Sequence, residues 1–270
     1  MQLTEDEAES PLLVQRDGKV LVLTLNRPHR LNALDESLHV LLHESIILAA
    51  RDNDIGAVVL TGAGGAFCSG GDMGSKRPEG APPLSLEEKA DSLLRHGETA
   101  RLLHVMPKPT IAMVNGAAAG AGLALALACD IRIMSSEAKL TTSYVKVALS
   151  GDLGSTYFLT RLVGAAKARE LFFLSDKIGA DEALRLGLVN RIESAELLRA
   201  TTLSLAQQLA CGPSVALRYI KRNLIAAETG GLQEVMESEA YGMARCGRTQ
   251  DVKEAALAFR EKRLPVFKGY

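Results

Sequence analysis

The chain has 270 residues, 47% hydrophobic and 23% charged, a composition that excludes a disordered chain and a length that can bury a core without disulfides or metals. Lys and Arg number 31 against 32 Asp and Glu, for a net charge of −1, so the basic field that general nucleic-acid binding needs is missing. No apolar run reaches the roughly 20 residues of a membrane span, and Met1 to Ser10 carries four acidic residues and no signal-like apolar stretch; a cytoplasmic protein with no membrane partner is expected.

Taken in chain order, Leu12 to Arg16 and Lys19 to Leu25 are β-rich runs joined at Asp17-Gly18, a hairpin signal. Asn26-Arg27-Pro28 ends the second run. A helix is predicted from about Asp35, with Leu38, Leu41, Leu42, Ile46 and Ala49 at helical spacing. Ala57 to Leu60 reads as a buried strand running into the glycine-rich turn Thr61 to Gly65. Lys76 to Ser85, rich in Pro, Gly and charge, reads as a mobile surface loop. A helix over Leu86 to Val105 precedes a strand over Thr110 to Val114. The small-residue run Asn115 to Gly122 leads into a helix over Leu123 to Ala128, and Asp130 to Met134 is another strand.

Beyond residue 150 the pattern turns helical. Ser155 to Leu162, Ala165 to Phe173 and Ala180 to Leu186 are predicted helices punctuated by Gly164, Gly179 and Gly187. From Ala195 nearly everything is helical, with Pro213 opening one helix, Gly230-Gly231 breaking the run and a last helix over about Asp251 to Lys262. The expected organisation is a core over 1–200 and a C-terminal helical, oligomerisation region over 201–270. Cys68, Cys129, Cys211 and Cys246 form no CxxC or Cys/His cluster; they read as buried free thiols, and no metal site is expected. The absence of Trp weakens any base-stacking role.

Two turns are rich in small residues, Phe67-Cys68-Ser69-Gly70-Gly71-Asp72 and Gly116 to Gly122. Glycine there permits close approach to the backbone, and free N–H groups at a helix start suit an anion or a developing oxyanion. Close helix packing accounts equally well for either turn alone. The phosphate-loop pattern GxxxxGK[ST] is absent, GxGxxG spacing is lacking at Gly116, and no GxSxG elbow occurs.

In combination these segments resemble the crotonase, or enoyl-CoA hydratase/isomerase, superfamily. The likeness runs over nearly the whole chain. Its pieces are Asn26-Arg27-Pro28 with Leu31-Asn32-Ala33-Leu34, then Phe67 to Met73, Pro107-Lys108-Pro109, Asn115-Gly116, Gly120-Ala121-Gly122, Cys129-Asp130, Gly187-Leu188-Val189 and Glu261-Lys262-Arg263. The resemblance implies an α/β fold, a spiral of ββα units forming two roughly perpendicular sheets with a C-terminal helical region that packs subunits into trimers, often hexamers. It implies an acyl-CoA thioester as substrate, with coenzyme A part of that substrate and no tightly bound cofactor. It places the oxyanion donors at the amides of Gly71 and Ala121, the CoA nucleotide along Arg30, Ser69, Asp72 and Met73, and a phosphate contact at Lys262 from a neighbouring subunit. Losing one such donor typically raises a barrier by about 3 kcal/mol. For Arg30 and Lys262 a solvated surface charge is the alternative.

The chain departs from the hydratases of that family. Their two glutamates fall at Ala124 and Tyr144, neither of them acidic, and adding water needs both a base and an acid. Asp152, in Leu149 to Ser155, resembles instead the aspartate of dienoyl-CoA isomerases, of the ring-opening isomerases of phenylacetate breakdown and of 4-chlorobenzoyl-CoA dehalogenases. Asp152 is also placed to cap the following helix. As a catalytic group it would shift a proton along the acyl chain while the amides hold a dienolate, with Tyr144, Leu149, Tyr157 and Phe158 as candidate pocket walls or plain core. The histidines, at 29, 39, 43, 96 and 104, fall in no recognisable catalytic motif. The resulting expectation is a proton-shifting enoyl-CoA isomerase; the alternatives are a hydratase with non-standard acid/base residues and a catalytically silent acyl-CoA-binding protein.

Overall fold

The computed structural model describes residues 10–74 and 82–270. Of the surface loop expected over 76–85, residues 76–81 lie outside the described residues. The chain opens with β1 (Leu12–Asp17) and β2 (Val20–Leu25), an antiparallel hairpin in full register from Leu12 opposite Leu25 to Asp17 opposite Val20. Gly18 at the turn takes a φ of +57°, which glycine adopts without strain. Helix α1 (Glu36–Arg51) begins where Asp35 accepts a hydrogen bond from the Leu38 amide. Helix α2 (Leu86–Val105) begins at a capping box: Ser85 Oγ accepts from the Glu88 amide at 3.1 Å, and Glu88 accepts from the Ser85 amide at 2.8 Å.

The middle of the chain winds as a spiral. Strand β3 (Ala57–Gly62) is followed by β4 (Ala66–Cys68), β5 (Thr110–Val114) by β6 (Ala117–Ala119), and β7 (Ile131–Ser135) by β8 (Leu140–Thr141). The first strand of each pair joins a six-stranded sheet of order β1-β2-β3-β5-β7-β9, closed by β9 (Arg191–Glu193); the second joins a three-stranded sheet of order β4-β6-β8. Within the spiral every pairing is parallel. The inner strands β2, β3 and β5 of the large sheet are buried on both faces, which explains their continuous apolar runs. Leu23, Leu25, Val58 and Leu60 point into the main core. Alternate residues Val20, Val22, Ala57 and Val59 face a second cluster with Leu198, Ala206 and Ala210, from the helix spanning Ala195–Ala210 (α6 below). This helix runs across residue 200, where the sequence suggests a boundary.

Between the strands lies α3 (Ala121–Ala128), an all-buried helix of eight residues. A side chain at Gly122 would run into the Cys68 carbonyl, so α3 lies directly on β4. Next come α4 (Ser155–Leu174), α5 (Ala180–Arg185), α6 (Ala195–Ala210), α7 (Ser214–Thr229), α8 (Leu232–Cys246) and α9 (Gln250–Glu261). Gly164 interrupts α4 with φ 76° and ψ 163°, at the break between the two helices expected there. The C-terminal helices are tied to the core by the buried Lys221, whose Nζ lies 2.8 Å from Asp130 and 3.1 Å from the carbonyls of Leu103 and Lys108. They leave large apolar side chains uncovered, among them Leu232, Met243, Phe259 and Leu264. The four cysteines are free as expected, but only Cys68 and Cys129 are buried; Cys211 is exposed and Cys246 half-buried. Among the described residues no helix is long and apolar enough to cross a membrane, and no His/Cys/Asp/Glu group could hold a metal ion.

Candidate active site

Two backbone turns meet at the start of α3. Gly70 sits at φ +99°, and a Cβ there would lie 3.0 Å from the Ala119 carbonyl oxygen and 3.5 Å from the Ala121 nitrogen. Only glycine lets the β4 turn come this close to the α3 turn. The β4 turn is fixed by its own pairing: the Leu34 amide donates to the Gly70 carbonyl at 2.8 Å, and the Asp72 amide donates to the Leu34 carbonyl at 2.9 Å. That ladder uses the Gly70 carbonyl and the Asp72 N–H, on either side of the Gly71 N–H, and leaves the Gly71 N–H without a backbone acceptor among the described residues. Ala121 is the first residue of α3, where an N–H has no acceptor within the helix. Gly71 and Ala121 therefore bring two uncommitted N–H groups to neighbouring turns, one of them at the partly positive end of a helix.

The acid side is built from side chains. Tyr144 opens a short 3-10 helix over Tyr144–Val147. Its ring lies against Gly120, 3.6 Å from where a Cβ would stand, and its hydroxyl donates to Asp152 Oδ1 at 2.8 Å. The two residues are thus linked across eight positions, beside the residue that precedes Ala121. Asp152 lies in a tight segment in which Gly151, Leu153 and Gly154 all have positive φ, at 118°, 49° and 73°. For Leu153 that conformation is strained. Asp152 does not cap α4: the cap position is Gly154, and no side chain bonds the first turn. Burial raises the Asp152 carboxyl above its ordinary range, while the Tyr144 hydroxyl and the charge of His96 pull it down. Burial raises Tyr144 as well, the Asp152 charge adding to it. Ala124, one turn into α3, is fully buried. Of the other candidate walls, Leu149 is exposed, and Phe158 packs edge-on to His104 and Tyr157.

The residues expected along a CoA nucleotide gather on one surface, with one exception. Ser69 Oγ reaches the Arg30 carbonyl at 3.4 Å, Arg30 Nη2 stands 3.8 Å from Asp72 Oδ1, and Met73 is exposed beside them. The Asp72 carboxylate itself is engaged. It accepts from Arg27 Nη2 at 2.9 Å and from the Gly74 amide at 2.9 Å, and Arg27 holds it below the usual carboxylate range. Lys262 ends α9, exposed, with no hydrogen bond or ion pair to the other four among the described residues.

Sequence reasoning gave no role to Arg27, Asn32 or Asn115. Arg27 also reaches Asp35 at 3.1 Å and the Ala33 carbonyl at 2.5 Å, pinning the approach to α1 beside Asp72. Asn32, fully buried at φ 55°, donates to the carbonyls of Ala63 and Ala66 and accepts from the Arg27 amide. Asn115 accepts from the Gly62 amide and donates to the Gly64 carbonyl. Both asparagines brace the β3–β4 turn and so fix where Gly71 stands. Their position inside the quoted motifs was the available signal.

The family model described as Enoyl-CoA hydratase/isomerase matches residues 15–270. The chain is 37% identical over 255 residues to a 1,2-epoxyphenylacetyl-CoA isomerase of Escherichia coli (strain K12), covering 93% of this chain and 95% of that protein. It is 35% identical to a short-chain-enoyl-CoA hydratase of Clostridium acetobutylicum, with the same coverage of 93% and 95%. The crystal structure of an enoyl-CoA hydratase from Bacillus anthracis superposes with a TM-score of 0.90 at 30% identity, over 96% of this chain and 100% of that one.

Proposed function

The chain belongs to the enoyl-CoA hydratase/isomerase family, and we propose that within it the protein is a proton-shifting enoyl-CoA isomerase whose acid–base group is Asp152. The observation that carries the reading is the Tyr144–Asp152 pair. The two positions where hydratases of the family place glutamates hold Ala124 and Tyr144, and the phenol that replaces one of them reaches the carboxylate at 2.8 Å. Neither of those two positions supplies a carboxylate, and Asp152 supplies one beside Tyr144.

The amides of Gly71 and Ala121 receive the thioester oxygen. Asp152, ionised, takes a proton from the acyl chain beyond the α-carbon. The electron pair moves toward the thioester, the two N–H groups hold the resulting dienolate oxygen, and Asp152 returns the same proton at another carbon. No water is consumed and no atom is gained or lost. A carboxyl raised by burial exchanges protons nearer neutrality than an exposed one, and the Tyr144 bond leaves its second oxygen for the substrate. Arg30, Ser69 and Met73 offer a surface for the CoA nucleotide, with Asp72 anchoring the turn beneath. Lys262 adds a cation from a neighbouring subunit. The uncovered apolar residues on α8 and α9 support assembly into trimers or hexamers.

A second reading, hydration, is favoured by the name of the Clostridium relative; in it Tyr144 and Asp152 together would orient a water. Interconversion of a 2-enoyl-CoA and its 3-enoyl isomer, followed in both directions beside hydration of crotonyl-CoA, separates the two. Isomerisation that disappears in Asp152→Asn supports the proposal, and isomerisation that survives the change overturns it. Tight thioester binding without turnover of either substrate would instead mark a silent binding protein.

A further inference from the structure

A cleft of about 260 Å³ lies between α1 and α2, lined in part by Glu36, His39, His43, Arg95, His96 and Thr99. Thr99 is 1% exposed and His39 8%. His39 Nδ1, His43 Nδ1 and Thr99 Oγ1 are all buried atoms with no hydrogen-bond partner among the described residues. Buried polar atoms are satisfied in the great majority of cases, and a helical threonine has a carbonyl one turn back available to it. Three orphaned atoms around one cleft point to an occupant that hydrogen-bonds.

The chemistry of the wall narrows that occupant. The His39 ring stacks on His96 at 3.9 Å and 3°, and His96 Nε2 bonds Glu36 Oε2 at 2.9 Å. Burial and the neighbouring His96 lower His39 to about 4, so its ring is neutral at pH 7. A neutral imidazole offers one donor and one acceptor, and a threonine hydroxyl offers both. Three carboxylates, of Glu36, Glu44 and Glu98, line the cleft against Arg95 and His96, which disfavours a further anionic group. The fit is to an uncharged oxygen that can accept, or both accept and donate.

Position ties the cleft to the reacting end. Leu34, which pairs with Gly71, stands two residues before α1, and His39 is on the first turn of that helix. On the opposite wall, the charge of His96 acts on Asp152. We propose that this cleft is the distal end of the acyl site and that it selects acyl groups carrying an uncharged hydroxyl or carbonyl oxygen at their far end. The inference rests on the reading of Gly71, Ala121 and Asp152 as the reacting end.

The test is calorimetric binding of saturated, non-reacting straight-chain CoA thioesters of increasing length, each as its plain alkyl, terminal-hydroxy and terminal-carboxylate form. At one length the hydroxy form is expected to bind on the order of tenfold more tightly than the alkyl form, the equivalent of one well-made hydrogen bond, and the carboxylate form more weakly than either. Thr99→Val, which keeps the shape and removes the hydroxyl, is expected to narrow that preference, and His43→Phe to narrow it independently. Equal binding of hydroxy and alkyl forms at every length, which is the result if the cleft holds only water, overturns the inference alone. So does a preference that neither variant alters. Failure to bind any thioester overturns it together with the proposed function. Because the ligands are saturated, loss of turnover in Asp152→Asn bears on the catalytic reading and leaves this measurement standing.

Discussion

The two sides of the candidate site are built from opposite materials. The amide side is backbone: Gly71 and Ala121 contribute N–H groups whose places are set by a strand ladder, a helix start and the close contact of Gly70 with Ala119. The acid side is side chain: Asp152 depends on Tyr144 across a segment in which Gly151, Leu153 and Gly154 have positive φ. A backbone device tolerates any residue that preserves the turn. A side-chain device can be lost or exchanged by one substitution. The chain illustrates this, since Ala124 and Tyr144 stand where the resemblance to hydratases implies glutamates while the two turns keep their small residues.

That contrast can be broken or sharpened by substitution. The largest effect is expected from Asp152→Asn, which removes the proposed proton carrier and should lower kcat by roughly 10³-fold, within the range for general acid–base groups, as read by spectroscopic isomerase assay. The same variant should be more stable than the parent at pH 7. The Asp152 carboxyl is raised in the folded chain, so the folded state holds its proton more tightly than the unfolded state does. Stability from this group is therefore fully present below the ordinary aspartate range and is lost as pH rises through the folded value. Asn removes that loss, and the gain in Tm should vanish at low pH.

On the amide side, Gly122→Ala should destabilise by about 1 to 3 kcal/mol, the usual range for overpacking, because the new methyl meets the Cys68 carbonyl. Denaturant unfolding measures it, and activity per folded molecule should fall with it as α3 shifts. Tyr144→Phe should act more gently and on pH. The hydroxyl favours the ionised form of Asp152, so its loss should move the acid limb of kcat/KM to higher pH, with a modest loss of rate at neutrality. An unmoved limb would show that the phenol does not govern the carboxylate. The smallest effect is expected from Arg27→Lys, which keeps the charge but cannot reach Asp72, Asp35 and the Ala33 carbonyl together. It should raise KM for the CoA thioester a few-fold and leave kcat nearly as it was.

What the sequence disclosed follows the same division. Helix α1 was legible because Asp35 marks its start and apolar spacing carries it on, and α2 as the stretch that follows the Pro- and Gly-rich loop. The hairpin was legible from Asp17-Gly18. Strands β4, β6 and β8, of two or three residues, are too short for any alternation to register, so the second sheet was expected only from family likeness. Residues 70–71 and 120–122 were visible as small-residue turns, but a turn of glycine and alanine does not say that its partner turn lies beside it. The Tyr144–Asp152 bond, the Arg27–Asp72 bond and the His39–His96 stack join residues far enough apart that only the folded chain pairs them. The engagement of Asp72 by Arg27 is the clearest case of a residue singled out in the sequence whose immediate partner only the fold shows.

Each turn of the spiral crosses from the large sheet to the small one in a few residues: 63–65 after β3, 115–116 after β5 and 136–139 after β7. The gap between the two N–H groups is consequently set by strand spacing in a packed interior and hardly at all by loop freedom. Descendants of such a chain can rewrite the segment from 144 to 155, and with it the reaction performed, without recalibrating the grip on the thioester. Diversification then proceeds by swapping the tool while the vice stays shut.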